Sequence, residues 1–174
     1  MALSSPSNWR WQGGYGFDLC GAGNEKVSQM EIRRPVQSDR AAWEELYAGY
    51  AAFYKVTQTP EMRATVWGWI HDADHSTDGL VAEENGTLIG LAHFRPFARP
   101  LSASTGGFLD DLFVAPGARG SGAAAALIEA LKTEGHARGW TVLRWITAED
   151  NYRARSLYDR LAEKTKWATY DLKL

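Results

Sequence analysis

The stretch FLDDLFVAPGARGSGAAAAL, residues 108–127, sets an apolar strand, a small-residue loop with one arginine, and an alanine-rich helix in direct succession. A helix start exposes unpaired backbone N–H groups and carries partial positive charge. Gly120 and Gly122 lack the Cβ atoms that would hold a bulky anion away from those groups. Arg119 adds a full charge suited to bidentate contact, and Ser121 adds a hydroxyl donor. The pattern implies capture of a phosphate or pyrophosphate. A tight strand-to-helix turn, with glycine serving conformation alone, is the competing reading, and these residues by themselves leave both open.

Two phosphate motifs fail here. Gly117 and Gly122 have P-loop spacing, but Ala123 and Ala124 stand where that motif needs a lysine and a hydroxyl residue. Gly120 through Ala125 fits the dinucleotide fingerprint, yet too little chain follows for the remaining units of a doubly wound sheet. Charge makes any polyanion site a local one. The 174 residues carry a formal net charge of −2, which gives no general pull toward nucleic acid or an anionic membrane. Cys20 is the only cysteine, so an intrachain disulfide and a cysteine metal cluster are both excluded. His71 and His75 are four apart but sit in the polar HDADHSTDG, which reads as solvated loop; no metal is expected. No apolar run approaches the ~20 residues of a membrane span.

Residues 1–29 are Gly- and Ser-rich, lack periodicity and hold no signal-peptide core. They read as a flexible or vector-like extension, the alternative being an ordered arm whose Trp9, Trp11 and Tyr15 pack on the body. The working domain is Met30–Leu174. MEIRRPV (30–36) reads as a strand, then Ser38 caps a helix with Trp43, Leu46, Tyr47, Tyr50, Phe53 and Tyr54 on one stripe. Thr59-Pro60 starts a second helix carrying Met62, Val66, Trp69 and Ile70. LVAEENGTLIGLAHF is a hairpin turning at Asn85-Gly86. After the strand 108–114, a helix spans about 120–138, TVLRWIT (141–147) is strand-like, and Asp150 or Asn151 caps a helix with Ala154, Leu157, Tyr158 and Leu161 inward. WATYDLKL alternates and closes the chain as a strand. The order β-α-α-β-β-β-α-β-α-β predicts a three-layer α/β (α+β) fold around one mixed central sheet.

The third phosphate motif is Arg-Gly-x-Gly-x-Ala after a strand ending Val-Ala-Pro. LDDLFVAPGARGSGAAAAL, followed by LRWITAEDNYRARSLYDRLAE, resembles the GNAT family of N-acetyltransferases, most closely its diamine, histone and amino-acid branch, over roughly residues 30–174. Asn151 followed seven residues later by Tyr158 strengthens the likeness. One departure is Thr165-Lys166-Trp167, where the family usually has a Gly-aromatic pair.

The resemblance implies acetyl-CoA as cosubstrate, its pyrophosphate held by the backbone of Arg119, Gly120, Ser121, Gly122, Ala123 and Ala124. The pantetheine arm would run like an extra strand against Leu112, Phe113 and Val114, where the sheet splays, and a backbone N–H there would polarise the acyl carbonyl. Tyr158, on the same side of its helix as Asn151, is expected as general acid, with simple core packing as the alternative. Asn151 would bond the pantetheine, cap its helix, or both. For the base, Asp110 and Asp111 compete, since adjacent strand residues point to opposite faces unless a bulge intervenes. Related diamine acetyltransferases carry glutamate where Asp110 stands, so Asp110 is chosen, acting through water; Asp111 is expected to pair with a backbone group or an arginine. The acceptor pocket would draw on Tyr47, Tyr50, Tyr54, Trp67, Trp69, His93 and Phe94, most of them core, with His93 structural rather than a second base. The expected reaction is acetyl transfer to a primary amine of a polyamine, amino acid or aminated metabolite, by direct attack in a ternary complex. Protein or peptide acetylation and a non-catalytic acyl-CoA-binding domain are the alternatives. A cytoplasmic setting without nucleic acid or membrane partners is expected, as is pairing into homodimers through the final strand.

Overall fold

A computed structural model describes residues 29–174 and shows a five-stranded sheet in the spatial order β1-β2-β3-β4-β5. All but the last residue of the expected extension, with Trp9, Trp11, Tyr15 and Cys20, lies outside the described residues. Strands β1 (Met30–Arg33), β2 (Asp78–Glu84), β3 (Thr87–Arg99) and β4 (Ser104–Val114) pair antiparallel, and β5 (Leu143–Trp145) joins β4 in parallel. Asn85 and Gly86 both take positive φ, 50° and 82°, as the expected hairpin turn requires.

Helices α1 (Arg40–Phe53) and α2 (Pro60–Trp69) cover one face, and α3 (Ala123–Ala137) and α4 (Tyr152–Leu161) the other. Strand alternation supplies both cores. Val81, Leu91 and Phe113 meet Trp43, Leu46 and Trp67 on the first face. Leu80, Ala92 and Phe94 meet Leu127, Ile128 and Leu131 on the second. Local signals set the helix starts: Thr59 Oγ1 accepts the Met62 N–H at 3.3 Å ahead of Pro60, and Asn151 Oδ1 accepts the Ala154 N–H at 3.3 Å.

Several expectations are corrected. Ser38 does not cap α1; it sits in a 3₁₀ turn, Gln37–Asp39, where the Asp39 carboxylate takes the Val36 N–H and the Arg33 guanidinium. In α2 the buried residue is Trp67, while Met62 and Trp69 are exposed, and Leu161 of α4 is exposed too. The strand expected over 108–114 begins earlier, at Ser104, and that expected over 141–147 shrinks to Leu143–Trp145. The closing strand is not formed. Residues 162–174 hold no helix or strand, and Trp167, Tyr170, Leu172 and Leu174 face solvent. An alternating pattern needs both a ladder partner and a face to bury against, and three-residue β5 offers this tail little of either.

Candidate active site

β4 sits between two unequal neighbours. Its pairing with β3 runs the whole way to Val114, whereas β5 matches it only at Gly107–Leu109. Beyond Leu109 and Trp145 the pairing ends, so the β5-facing backbone edge of Leu112, Phe113 and Val114 has no strand partner among the described residues. Their side chains are otherwise engaged. Phe113 is buried against Tyr50, ring centroids 5.8 Å apart, and Leu112 and Val114 pack on the α3 face. What this stretch offers the slot is main chain.

The slot opens onto the glycine loop. Gly120 and Gly122 take φ of 96° and 91°, a region that disfavours every L side chain, and a Cβ built on either meets nothing within 4 Å. The loop is therefore open above its glycines, as a cradle for a bulky anion must be. Gly122 is the residue ahead of α3, and Ser121 Oγ accepts the Ala123 N–H at 3.3 Å. Three of the six amides expected to meet the diphosphate are thus already engaged: Arg119 N–H on the Pro116 carbonyl at 3.4 Å, Ser121 N–H on the Ala118 carbonyl at 3.3 Å, and Ala123 N–H on Ser121 Oγ. The Ser121 hydroxyl proton is left to donate, and Ala124 keeps a first-turn amide with no intrahelical acceptor. Arg119 lies across the groove mouth with its guanidinium over Phe53, 5.5 Å from the ring centroid. A groove of about 480 Å³ lies beside it, lined by Phe53, Tyr54, Asp150, Asn151 and Tyr152 among others.

The aspartates sit at a bulge. His93 pairs with Asp111 but Phe94 with Leu109, so Asp110 is an extra residue in β4. Leu109 belongs to the α3-side core while Asp111 contacts Tyr47 of α1, which turns both aspartates toward the α1 side. Their partners reverse the expectation. Asp110 faces an arginine, with Arg95 Nε 3.3 Å from Oδ1 and 3.2 Å from Oδ2. Asp111 meets neither backbone nor arginine: its Oδ2 accepts His93 Nδ1 at 2.9 Å and the Tyr47 hydroxyl at 3.1 Å. Burial, set against the Arg95 charge and aided by Asp111, raises the Asp110 carboxyl above the usual carboxylate range.

His93 is buried with both ring nitrogens bonded, within a network not anticipated. It and Trp43 are each 1 % exposed, and the indole Nε1 donates to His93 Nε2 at 3.1 Å. An indole N–H only donates, so Nε2 must accept and the ring proton lies on Nδ1, directed at Asp111. Only the strand register brings these four residues together, although adjacent acids on an apolar strand and a histidine in the facing hairpin were a visible hint.

Tyr158 packs edge-on to Trp145, centroids 5.3 Å apart, at the point where β5 ends. Burial first, then the neighbouring Tyr54, pushes its phenol up to about 12. Burial likewise raises the Tyr50 phenol, with Asp111 and Tyr54 adding to it. Tyr47, Tyr50 and Tyr54 thus border the expected acceptor side. Trp67 and Phe94 are core, Phe94 on the opposite face, and Trp69 is exposed and stacked on His75. Asn151 has both polar atoms committed, Oδ1 to its helix and Nδ2 to Thr147 Oγ1 at 3.2 Å, so its capping role is realised. A second cleft, about 520 Å³ between α1 and the β2–β3 hairpin, holds no expected site residue besides Phe113. Among the described residues no cluster of His, Cys, Asp or Glu is arranged to hold a metal, and no helix is long and apolar enough to cross a membrane.

Comparison with known proteins identifies the family and the fold. The model of the acetyltransferase (GNAT) family matches residues 43–162. The chain is 30% identical over 154 residues to the D-amino-acid N-acetyltransferase HPA3 of Saccharomyces cerevisiae, covering 84% of this chain and 96% of that one. It is 35% identical over 132 residues to the uncharacterized N-acetyltransferase YhfO of Bacillus subtilis, covering 75% and 87%. Among solved structures, an aminoglycoside N-acetyltransferase in complex with CoA has the same fold, with a TM-score of 0.74 at 22% identity over 86% of this chain and 97% of that one. The chain belongs to the GNAT family and is an acetyl-CoA-dependent N-acetyltransferase.

Proposed function

We propose that domain 30–174 transfers the acetyl group of acetyl-CoA to a primary amine of a small molecule, by direct attack in a ternary complex. The observation that carries this reading is the end of the β4–β5 pairing at Leu109, which leaves a backbone edge leading straight to an open glycine loop. An amide-bearing arm fits the edge as a surrogate strand, and a diphosphate fits the loop amides of residues 119–124 and the Arg119 charge. The yeast relative's name, a D-amino-acid N-acetyltransferase, supports counting amino acids among the acceptors proposed, beside polyamines and other aminated metabolites.

Acetyl-CoA supplies a thioester carbonyl as the acyl donor. An alkylammonium with pKa ~10.4 arrives protonated, so a base must act first. Asp110 fills that role through a bridging water. It lies on the acceptor side and its raised carboxyl keeps it from being a negligible base, whereas one oxygen of Asp111 is spent on His93 and Tyr47. A backbone N–H within Leu112–Val114 polarises the carbonyl. Tyr158 donates its phenolic proton toward the departing sulfur, and Asn151 holds the start of the helix that carries Tyr158.

A cytoplasmic homodimer belongs to the same proposal. The support for the homodimer is the exposed apolar tail, Trp167 to Leu174, which is not covered among the described residues; light scattering in solution tests it. The test of the main reading is a thiol-release screen of polyamines, amino acids and lysine peptides with the full chain. Amine-dependent CoA release with a small-molecule amine is the expected result, and release with lysine peptides alone overturns the small-molecule reading.

A further inference from the structure

Arg95 is held in an unusual way for a surface arginine. It sits on β3 opposite Phe108, one ladder step from the bulge. Its guanidinium lies over the Phe108 ring, 5.2 Å from the centroid, and its Nε reaches the Asp110 carboxylate at 3.2–3.3 Å. Ring and carboxylate together fix the plane of the fork. Only Nε is spent, and Nη1 and Nη2 have no partner among the described residues. The side chains of Arg95 and Asp110 are 41% and 32% exposed, so solutes can reach the pair.

We propose that Arg95 reads a carboxylate on the acceptor, so that the acceptors of choice are free α-amino acids rather than diamines. This rests on the site reading above, with Asp110 beside the reacting amine. An α-amino acid carries its carboxylate one carbon from its amine. When the amine faces the bulge aspartates, the carboxylate comes to the oriented Nη edge of Arg95, where two parallel N–H donors match its two oxygens. The acids and the arginine form a dipole that a zwitterion complements at both ends. A diamine brings a second cation into a region where Arg95 already supplies one, and that repulsion is the selective element. Asp110 thus has two tasks: taking the proton of the incoming amine and holding the guanidinium that selects it.

The test compares kcat/KM, by thiol release from acetyl-CoA, for free α-amino acids of both hands, the same amines lacking the carboxylate, and putrescine. The wild-type chain favours the amino acid over its decarboxylated partner by about tenfold or more. Arg95→Gln brings that ratio close to one, mainly through KM; Arg95→Lys keeps part of it; Arg95→Glu turns preference toward putrescine. The ratio is the readout because removing Arg95 also alters Asp110, which moves both substrates together. CoA affinity of each variant checks that it is folded, and Arg95→Lys carries the comparison if Arg95→Gln fails that check. A wild-type ratio of one or below, or a ratio that survives Arg95→Gln, overturns the inference while leaving acetyl transfer intact. Absence of amine-dependent thiol release with every amine overturns the underlying reading of the site, and the inference falls with it.

Discussion

Because burial and Tyr54 push the Tyr158 phenol up to about 12, it stays protonated across the neutral range, as its proposed role of acid requires. The gap to a thiol near ~8.5 favours hydrogen-bond donation to the developing thiolate over early complete transfer. Tyr158→Phe should therefore lower kcat by about 100-fold with little change in acetyl-CoA KM, read by steady-state thiol release. Unchanged turnover removes Tyr158 from the chemistry. As the proposed base, Asp110 would give a pH signature of definite sign. A base acts deprotonated and this carboxyl is raised, so activity falls as pH drops through a value above the ordinary carboxylate range. Asp110→Asn should abolish that acid limb in a kcat/KM profile along with most activity. At this scale the open glycine loop and the Asn151 cap were readable because each announces itself by local chemistry: missing Cβ atoms and a capping side chain. The exchange of partners between Asp110 and Asp111 was not, since a bulge is a property of two strands and appears in neither alone.

Among the elements, the short pairing of β4 with β5 defines the slot, and it depends on small residues. A Cβ on Gly107 would stand 2.1 Å from the Trp140 ring, and one on Gly106 2.7 Å from Phe97. Gly107→Ala should thus push Trp140 away and loosen the β4–β5 contact, costing roughly 1–3 kcal/mol of stability, with weakened CoA binding beyond that loss. Thermal denaturation and CoA titration check the pair, and an unaffected Tm shows that Trp140 has room to retreat. The turn at Asn85-Gly86 and the Thr59-Pro60 helix start were legible because they are local. The closing alternation was misleading because it states a preference for a partner, and this sheet ends before supplying one.

Over the whole molecule, the acidic limit of stability should trace to one clamp. Arg33 joins Asp39 at 2.6 Å and also Glu83, tying β1 to β2 and to the turn before α1. The Arg33 side chain holds the Asp39 carboxyl below its ordinary value. A depressed carboxyl stabilises the fold above its unfolded value, ~3.9, and that contribution is lost as pH falls through the folded one. Asp39→Asn should cost about 1–2 kcal/mol at pH 7 by urea denaturation, with the gap to wild type closing below about pH 4; a gap independent of pH shows that packing, not charge, holds the clamp. Everything functional depends on where coenzyme A lies, and a crystal structure of the full chain with CoA tests that directly. The diphosphate should accept hydrogen bonds from main-chain N–H groups within residues 119–124, with the pantetheine amides laddered along Leu112–Val114. Density for CoA elsewhere, or a diphosphate held by side chains away from this loop, contradicts the account.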